Sequence, residues 1–287
     1  MRQFLSNAIR LFIVSCMCFM TSYAVNYTRN KITIYDDYEP VIHNRNDIYD
    51  DLRNCILNGK KEIRIDPAIA IDDISDSIER IYNNDTEIFW LKSNWYALYE
   101  PTCTTISFEF KYSDEKIQQM RQDLEFAVKK IIKLSETKNN ESDTDKFNFI
   151  RRYIMDNTIY DELSEKDDDL MAHTAYGCLV ENVAVCDGYA KAFELIATRM
   201  GLSAGHVIGS SEPNTDGIDH AWNYIKIDDH YFWTDITWDD ITYDRYNKFD
   251  MYQFYQMSDA ELNETHTIAK DCKLNEFIPI CNTQRIL

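Results

Sequence analysis

Six of the chain's seven glycines lie between Gly177 and Gly217. Glycine is placed where backbone must turn tightly or approach a neighbour closely, so this stretch is under more backbone constraint than the half before it. Within it, Cys186 to Met200 reads as a helix whose inner face carries Tyr189, Phe193, Ile196, Ala197 and Met200, with Gly201 as its C-terminal cap. Two alternating segments follow. His220–Ile227 reads as a strand, Asp228-Asp229 as a tight turn lacking the usual glycine, and His230–Trp238 as the return strand. Folding about that turn pairs Ile227 with His230 and Trp222 with Asp235.

Three reactive side chains occupy telling places in this pattern. Cys186 sits at or just before the first turn of its helix, where the dipole and unpaired amides favour thiolate and lower the thiol pKa. Those amides can also donate to an oxyanion, and Gly188 would let a substrate backbone come close. Taken singly, Cys186 reads as a small buried apolar residue, His220 as a hydrogen-bonded core histidine and Asp235 as a turn or surface acid. Together they read differently. His220 and Asp235 fall on one face of the hairpin, one diagonal step apart, so the carboxylate can orient the imidazole and stabilise its cation. Thiol, imidazole and carboxylate are the groups that acyl transfer by a cysteine requires.

The remaining chain bounds the setting. Its 287 residues hold one large domain or two modest ones, and 45% hydrophobic residues suffice for a core. A formal charge of −19 argues against a nucleic-acid partner. Arg2 and Arg10 precede an apolar run, Leu11 to Met20, that is too short to span a bilayer and ends in a small-residue site at Ala24. Residues 1–24 are therefore expected to be a cleaved signal, placing the protein outside the cytoplasm; Ile13-Val14-Ser15-Cys16 leaves a lipid anchor as the alternative. Of the cysteines beyond the signal, Cys272 and Cys281 close a short loop and form the best disulfide pair. Scattered histidines and the lack of a Cys-x-x-Cys argue against structural zinc, and the acidic run Asp161–Leu170 fits a solvated loop better than a calcium site. No metal or other cofactor is expected.

Residues 25–135 form an expected N-terminal α+β region of unknown role, without clear periodicity before about residue 60. Ile63–Asp66 and Thr105–Tyr112 alternate as strands, and Ile74, Ile78 and Ile81 repeat at helical spacing. A long helix should follow Ser113, with Ile117, Met120, Leu124, Val128, Ile131 and Ile132 on one face. The polar stretch Ser135–Asp145 is the expected boundary before a C-terminal domain, residues 146–287, which opens with a helix over Phe147–Thr158. Four glycosylation sequons, at Asn26, Asn84, Asn140 and Asn263, bear on the chain only in a host that glycosylates secreted proteins.

From about Phe147 to His266 the chain resembles the transglutaminase-like superfamily, in particular its bacterial secreted members. The resemblance rests on Ala175-Tyr176-Gly177, Val185-Cys186-Asp187-Gly188-Tyr189-Ala190, His220-Ala221-Trp222-Asn223 and Asp235-Ile236-Thr237-Trp238-Asp239-Asp240, with Met257-Ser258-Asp259 and His266 as a closing segment. It implies an α+β fold with a papain-like core, the nucleophile helix packed on an antiparallel sheet, and a triad of Cys186, His220 and Asp235. The implied activity is thiol-dependent transfer or hydrolysis at amides of a protein or peptide. Tyr176 is a candidate second oxyanion donor or a packing residue. Trp222 and Trp238 are groove walls or core aromatics. The competing reading is a non-catalytic module that uses the same groove to bind peptide or cell-wall polymer at the cell surface. Oligomeric state is not legible.

Overall fold

A computed structural model describes residues 48–138, 141–161, 171–215, 217–245, 254–270 and 272–283. The expected signal segment, most of the acidic run after Asp161 and the sequons at Asn26 and Asn140 lie outside these residues. The described chain divides into two compact units: residues up to Asn83 with Trp90–Ser113, and Asn84–Phe89 with the residues from Asp114 onward.

The first unit is a three-stranded antiparallel sheet with two helices. Helix α1 (Ile48–Leu57) buries Ile48, Leu52, Cys55 and Ile56, and α2 (Ile71–Asn84) buries Ile74, Ile78 and Ile81. Strands β1 (Glu62–Ile65), β2 (Leu91–Glu100) and β3 (Cys103–Phe110) assemble in the order β1-β3-β2. The alternating segments become strands as their period requires. Helix α1 falls where the sequence shows no clear period: its four buried positions are spaced at helical intervals, but the helix is short and mostly polar.

The second unit carries the constrained stretch. Helix α3 (Asp114–Thr137) buries Ile117, Met120, Leu124, Val128 and Ile131. It packs against a π-helical turn at Gly177–Glu181 and against α5 (Cys186–Arg199). The apolar stripe therefore places α3 with the second unit, and the division falls at Ser113/Asp114. The polar stretch expected to separate domains instead joins α3 to α4 (Asp143–Asn157), whose first turn is capped by the Ser142 hydroxyl accepting from the Asp145 N–H. Short strands β4 (Ile159–Tyr160) and β5 (Val183–Ala184) pair in parallel just before α5.

Helix α5 lies on an antiparallel sheet of β6 (Ser203–Ser210), β7 (His220–Ile227), β8 (His230–Thr234) and β9 (Thr267–Ile268), ordered β8-β7-β6-β9. Gly201 after α5 has a φ of 82°, the left-handed conformation that ends a helix at least cost in glycine. Ile227 pairs with His230 as the hairpin reading requires, and Asp228 supplies the turn with a φ of 45°. The fold is α+β, with a helix packed on an antiparallel sheet.

Two expectations are corrected here. The return strand does not reach Trp238: it ends at Thr234, and Ile236–Arg245 is a helix, α6. Asp235 causes the switch, because its carboxylate accepts from the Trp238 N–H at 3.1 Å and caps the new helix. Cys272 and Cys281 are both free thiols. Cys281 is buried against Val207, Trp222, Trp233, Met257 and Leu262, its N–H bonded to the Asp259 carboxylate, while Cys272 belongs to a turn closed on Ala269. Among the described residues no helix is long and apolar enough to cross a membrane.

Candidate active site

The site is built where α5 meets β7. Gly188 allows the approach: a Cβ there would meet the Ala172 carbonyl oxygen at 2.3 Å and the Ala184 Cβ at 2.7 Å. The glycine thus serves a close protein neighbour, which corrects its reading as an opening for substrate. The Asn223 amide on β7 donates to the Ala190 carbonyl at 2.9 Å and the Gly205 carbonyl at 3.1 Å, tying α5 to the sheet. Tyr189 on α5 donates to Asp240 on α6 at 2.5 Å. Between α4 and α6, Arg151 and Asp239 form a buried ion pair at 2.7 Å. These ties hold the helix start bearing Cys186 against the strand start bearing His220.

His220 Nε2 lies 2.7 Å from Asp235 Oδ2, and both groups are buried. The Cys186 side chain lies close enough to the same imidazole for each to shift the other's protonation. Cys186 keeps partial exposure. The structure therefore gathers the three residues singled out by their order in the sequence. It adds a fourth: His266 Nε2 also reaches Asp235 Oδ2, at 3.1 Å.

Residues 131–238 match the family model of the transglutaminase-like superfamily. This part of the chain is similar to a transglutaminase-like core. Comparison with curated proteins returned no match. Among solved structures, one described as a TGase is 16% identical, with a TM-score of 0.35, over 61% of this chain and 50% of its own length. A "putative protease" from Parabacteroides distasonis is 11% identical (TM-score 0.30) over 50% of this chain and 35% of its own length. A "putative cysteine protease" from Cytophaga hutchinsonii is 15% identical (TM-score 0.31) over 50% and 61%. The match thus spans about half the length of the first of these.

Electrostatics within the core follow from burial and charge. Burial alone would raise the Asp235 carboxyl, but the two imidazoles bonded to it hold it well below the usual carboxylate range. Burial pulls the other way on His220, and the charge and hydrogen bond of Asp235 override it, holding the imidazole well above its ordinary value. For Cys186, burial dominates and pushes the thiol up. The His220 hydrogen bond and the Ala221 N–H oppose that push, while Asp187 adds to it. The thiol expected to be lowered by its helix position is instead raised, with burial as the largest cause.

Aromatic rings enclose the pair. Trp222 and Trp238 each lie with ring centroids 5.8 Å from His220, and Trp238 stands edge-on to Phe254. Trp222 is fully buried as a core aromatic, whereas Trp238 is half-buried. Tyr176 is buried in the π-turn with its ring 4.9 Å from Phe89. Asp239 and Asp240 hold α6 to α4 and α5.

The histidines are less scattered than the sequence suggested: His220, Asp235 and His266 place three potential metal-ligand atoms within 4.8 Å of one another. Their mutual hydrogen bonds already satisfy those atoms. The resemblance had named His266 in its closing segment, but nothing local signalled its bond to Asp235, 31 residues away and joined to it only through the sheet.

Proposed function

We propose that this protein is a thiol-dependent enzyme that transfers or hydrolyses acyl groups at amides of proteins or peptides, through Cys186, His220 and Asp235. The observation that carries the proposal is one imidazole bonded to a buried carboxylate at 2.7 Å and coupled in its protonation to the Cys186 thiol. The match to the transglutaminase-like superfamily supports cysteine-based chemistry in this part of the chain.

In its neutral form His220 accepts the thiol proton as the sulfur attacks the amide carbon, and the carbonyl π pair moves onto oxygen. The first-turn N–H of Cys186, which has no intrahelical acceptor, stabilises that oxyanion. As the oxyanion collapses, the C–N bond breaks and imidazolium delivers its proton to the leaving amine. A thioester remains. Water or a second amine then attacks it, giving its proton to His220, and thiol is restored as the C–S bond breaks. Asp235 holds the ring in place and stabilises its cation at each stage. Hydrolysis is favoured over amine transfer, because water is always present while transfer needs a site that excludes it.

The test is mass spectrometry of a peptide library incubated with the protein, with and without a primary amine. A gain of about one mass unit at glutamine marks deamidation, amine adducts mark transfer, and shortened peptides mark proteolysis. Each product must vanish in Cys186→Ala. If no peptide changes under any condition, the enzymatic proposal is wrong and the groove is a binding surface.

A further inference from the structure

We propose that His266 is a positioning residue for the Cys186–His220 pair, acting through the carboxylate of Asp235; the inference rests on the catalytic reading above. It lies beyond the residues that match the superfamily, which end at residue 238.

The geometry makes Asp235 a carboxylate with no freedom left. Oδ2 takes His220 Nε2 at 2.7 Å and His266 Nε2 at 3.1 Å, while Oδ1 takes the Trp238 N–H at 3.1 Å. An ionised carboxylate only accepts, so the ring nitrogen that His266 presents to it must carry a proton. The other nitrogen, Nδ1, lies 2.7 Å from the Thr265 hydroxyl, whose proton it can take.

The ring itself is fixed. Its centroid stands 4.6 Å from Trp238, 4.8 Å from Trp222 and 5.5 Å from His220, and its side chain is fully buried. The backbone N–H of His266 is held by the Leu262 carbonyl at 2.8 Å, and the next residue opens β9 on the edge of the sheet. Such a ring aims one proton at one oxygen.

Two N–H groups sharing Oδ2 divide its charge. The second donor also stops the carboxylate turning away from His220. Other charges face the pair from each packed element: Asp187 beside Cys186 on α5, Asp239 at the start of α6, and Arg151 of α4 paired with Asp239. Among the described residues, the groups that meet Oδ2 are His220 and His266. Without His266, the carboxylate can turn and the imidazole sits less exactly, so the sulfur loses part of the partner that favours its thiolate and ionises at higher pH.

The test uses the full chain and needs no known substrate. Alkylation of Cys186 by iodoacetamide is followed by mass spectrometry from about pH 5 to about pH 9 in the natural chain, His220→Ala, His266→Phe and His266→Gln. His266→Phe keeps a ring in the aromatic cage but removes the donor. It is expected to move the alkylation profile to higher pH by about half a unit to one unit and to slow the neutral-pH reaction by roughly threefold to tenfold. His266→Gln, with an amide N–H near the same place, should recover most of the rate. If the Phe variant does not fold, His266→Met replaces it, matched to Gln in length without a donor.

The inference is overturned if donor-free variants follow the natural profile while His220→Ala does not. If His220→Ala also follows the natural profile, the pairing of Cys186 with His220 is itself wrong, and the catalytic proposal falls first.

Discussion

At the scale of single residues, Cys186 shows how position and surroundings compete. Its place at a helix start favours thiolate, yet burial pushes the thiol up and the nearby Asp187 carboxylate pushes the same way. A raised thiol is mostly protonated at neutral pH, so its reactivity should grow as pH rises. Alkylation of Cys186 is expected to be slow under mildly acidic conditions and to climb through the neutral and alkaline range. Asp187 is itself held well below the usual carboxylate range: burial opposes this, and His173, 3.0 Å away, with Lys191 overcomes it. It is therefore fully charged at neutral pH. Removing that charge in Asp187→Asn should lower the thiol and speed neutral-pH alkylation by about threefold, on the order of half a pKa unit. A rate unchanged or slower would show that Asp187 governs the sulfur through His173 instead of its charge.

At the scale of elements, the junction of α4 and α6 depends on one buried pair. Burial pushes the Asp239 carboxyl up to about 6 even though Arg151 draws it down. A folded value above the unfolded one, about 3.9, means this group contributes stability at low pH that is lost as pH rises through about 6. Arg151→Met leaves the carboxylate unpaired, and a buried pair broken on one side costs about 3–5 kcal/mol. Urea denaturation should show that loss near neutral pH and a smaller one near about pH 4, where Asp239 is protonated. An equal loss at both pH values would assign the effect to Arg151 packing over Phe147 and Tyr255. The seam between α5 and β7 offers a second check. Asn223→Leu strands two acceptors, the carbonyls of Ala190 and Gly205, and should cost about 1–3 kcal/mol in the same assay.

At the scale of the whole molecule, thiols and carboxylates set the behaviour. Cys55, Cys103, Cys178, Cys186, Cys272 and Cys281 are all free. Alkylation in denaturant without reductant should modify all six, and reductant should leave the melting temperature unchanged; a protected Cys272–Cys281 peptide would contradict the structure. Asp187 and Asp235 have folded values depressed below the unfolded one, so their contribution is present above about pH 3.9 and is lost as pH falls further. Acid unfolding should therefore begin below about pH 4, and Asp187→Asn should flatten its slope by about one proton.

Much of this molecule was legible because helix and strand periods are local. The span of α5, the Gly201 stop, the Ile227–His230 pairing and the stripe of α3 each depend on residues within a few turns or one hairpin. The order Cys186, His220, Asp235 was legible too, since the hairpin alone carries two of the three. Other features required the fold. The strand-to-helix switch at Asp235 depends on which donor its carboxylate finds, and periodicity does not record that. The unit boundary depends on what α3 packs against, which a polar loop does not reveal. The direction of the Cys186 thiol depends on atoms brought around it from outside its helix, and His266 reaches Asp235 only because β9 joins β6 on the edge of the sheet. Local chemistry determined the reactive residues and the elements that present them; burial and sheet register, which act between distant parts of the chain, decided their protonation and their company.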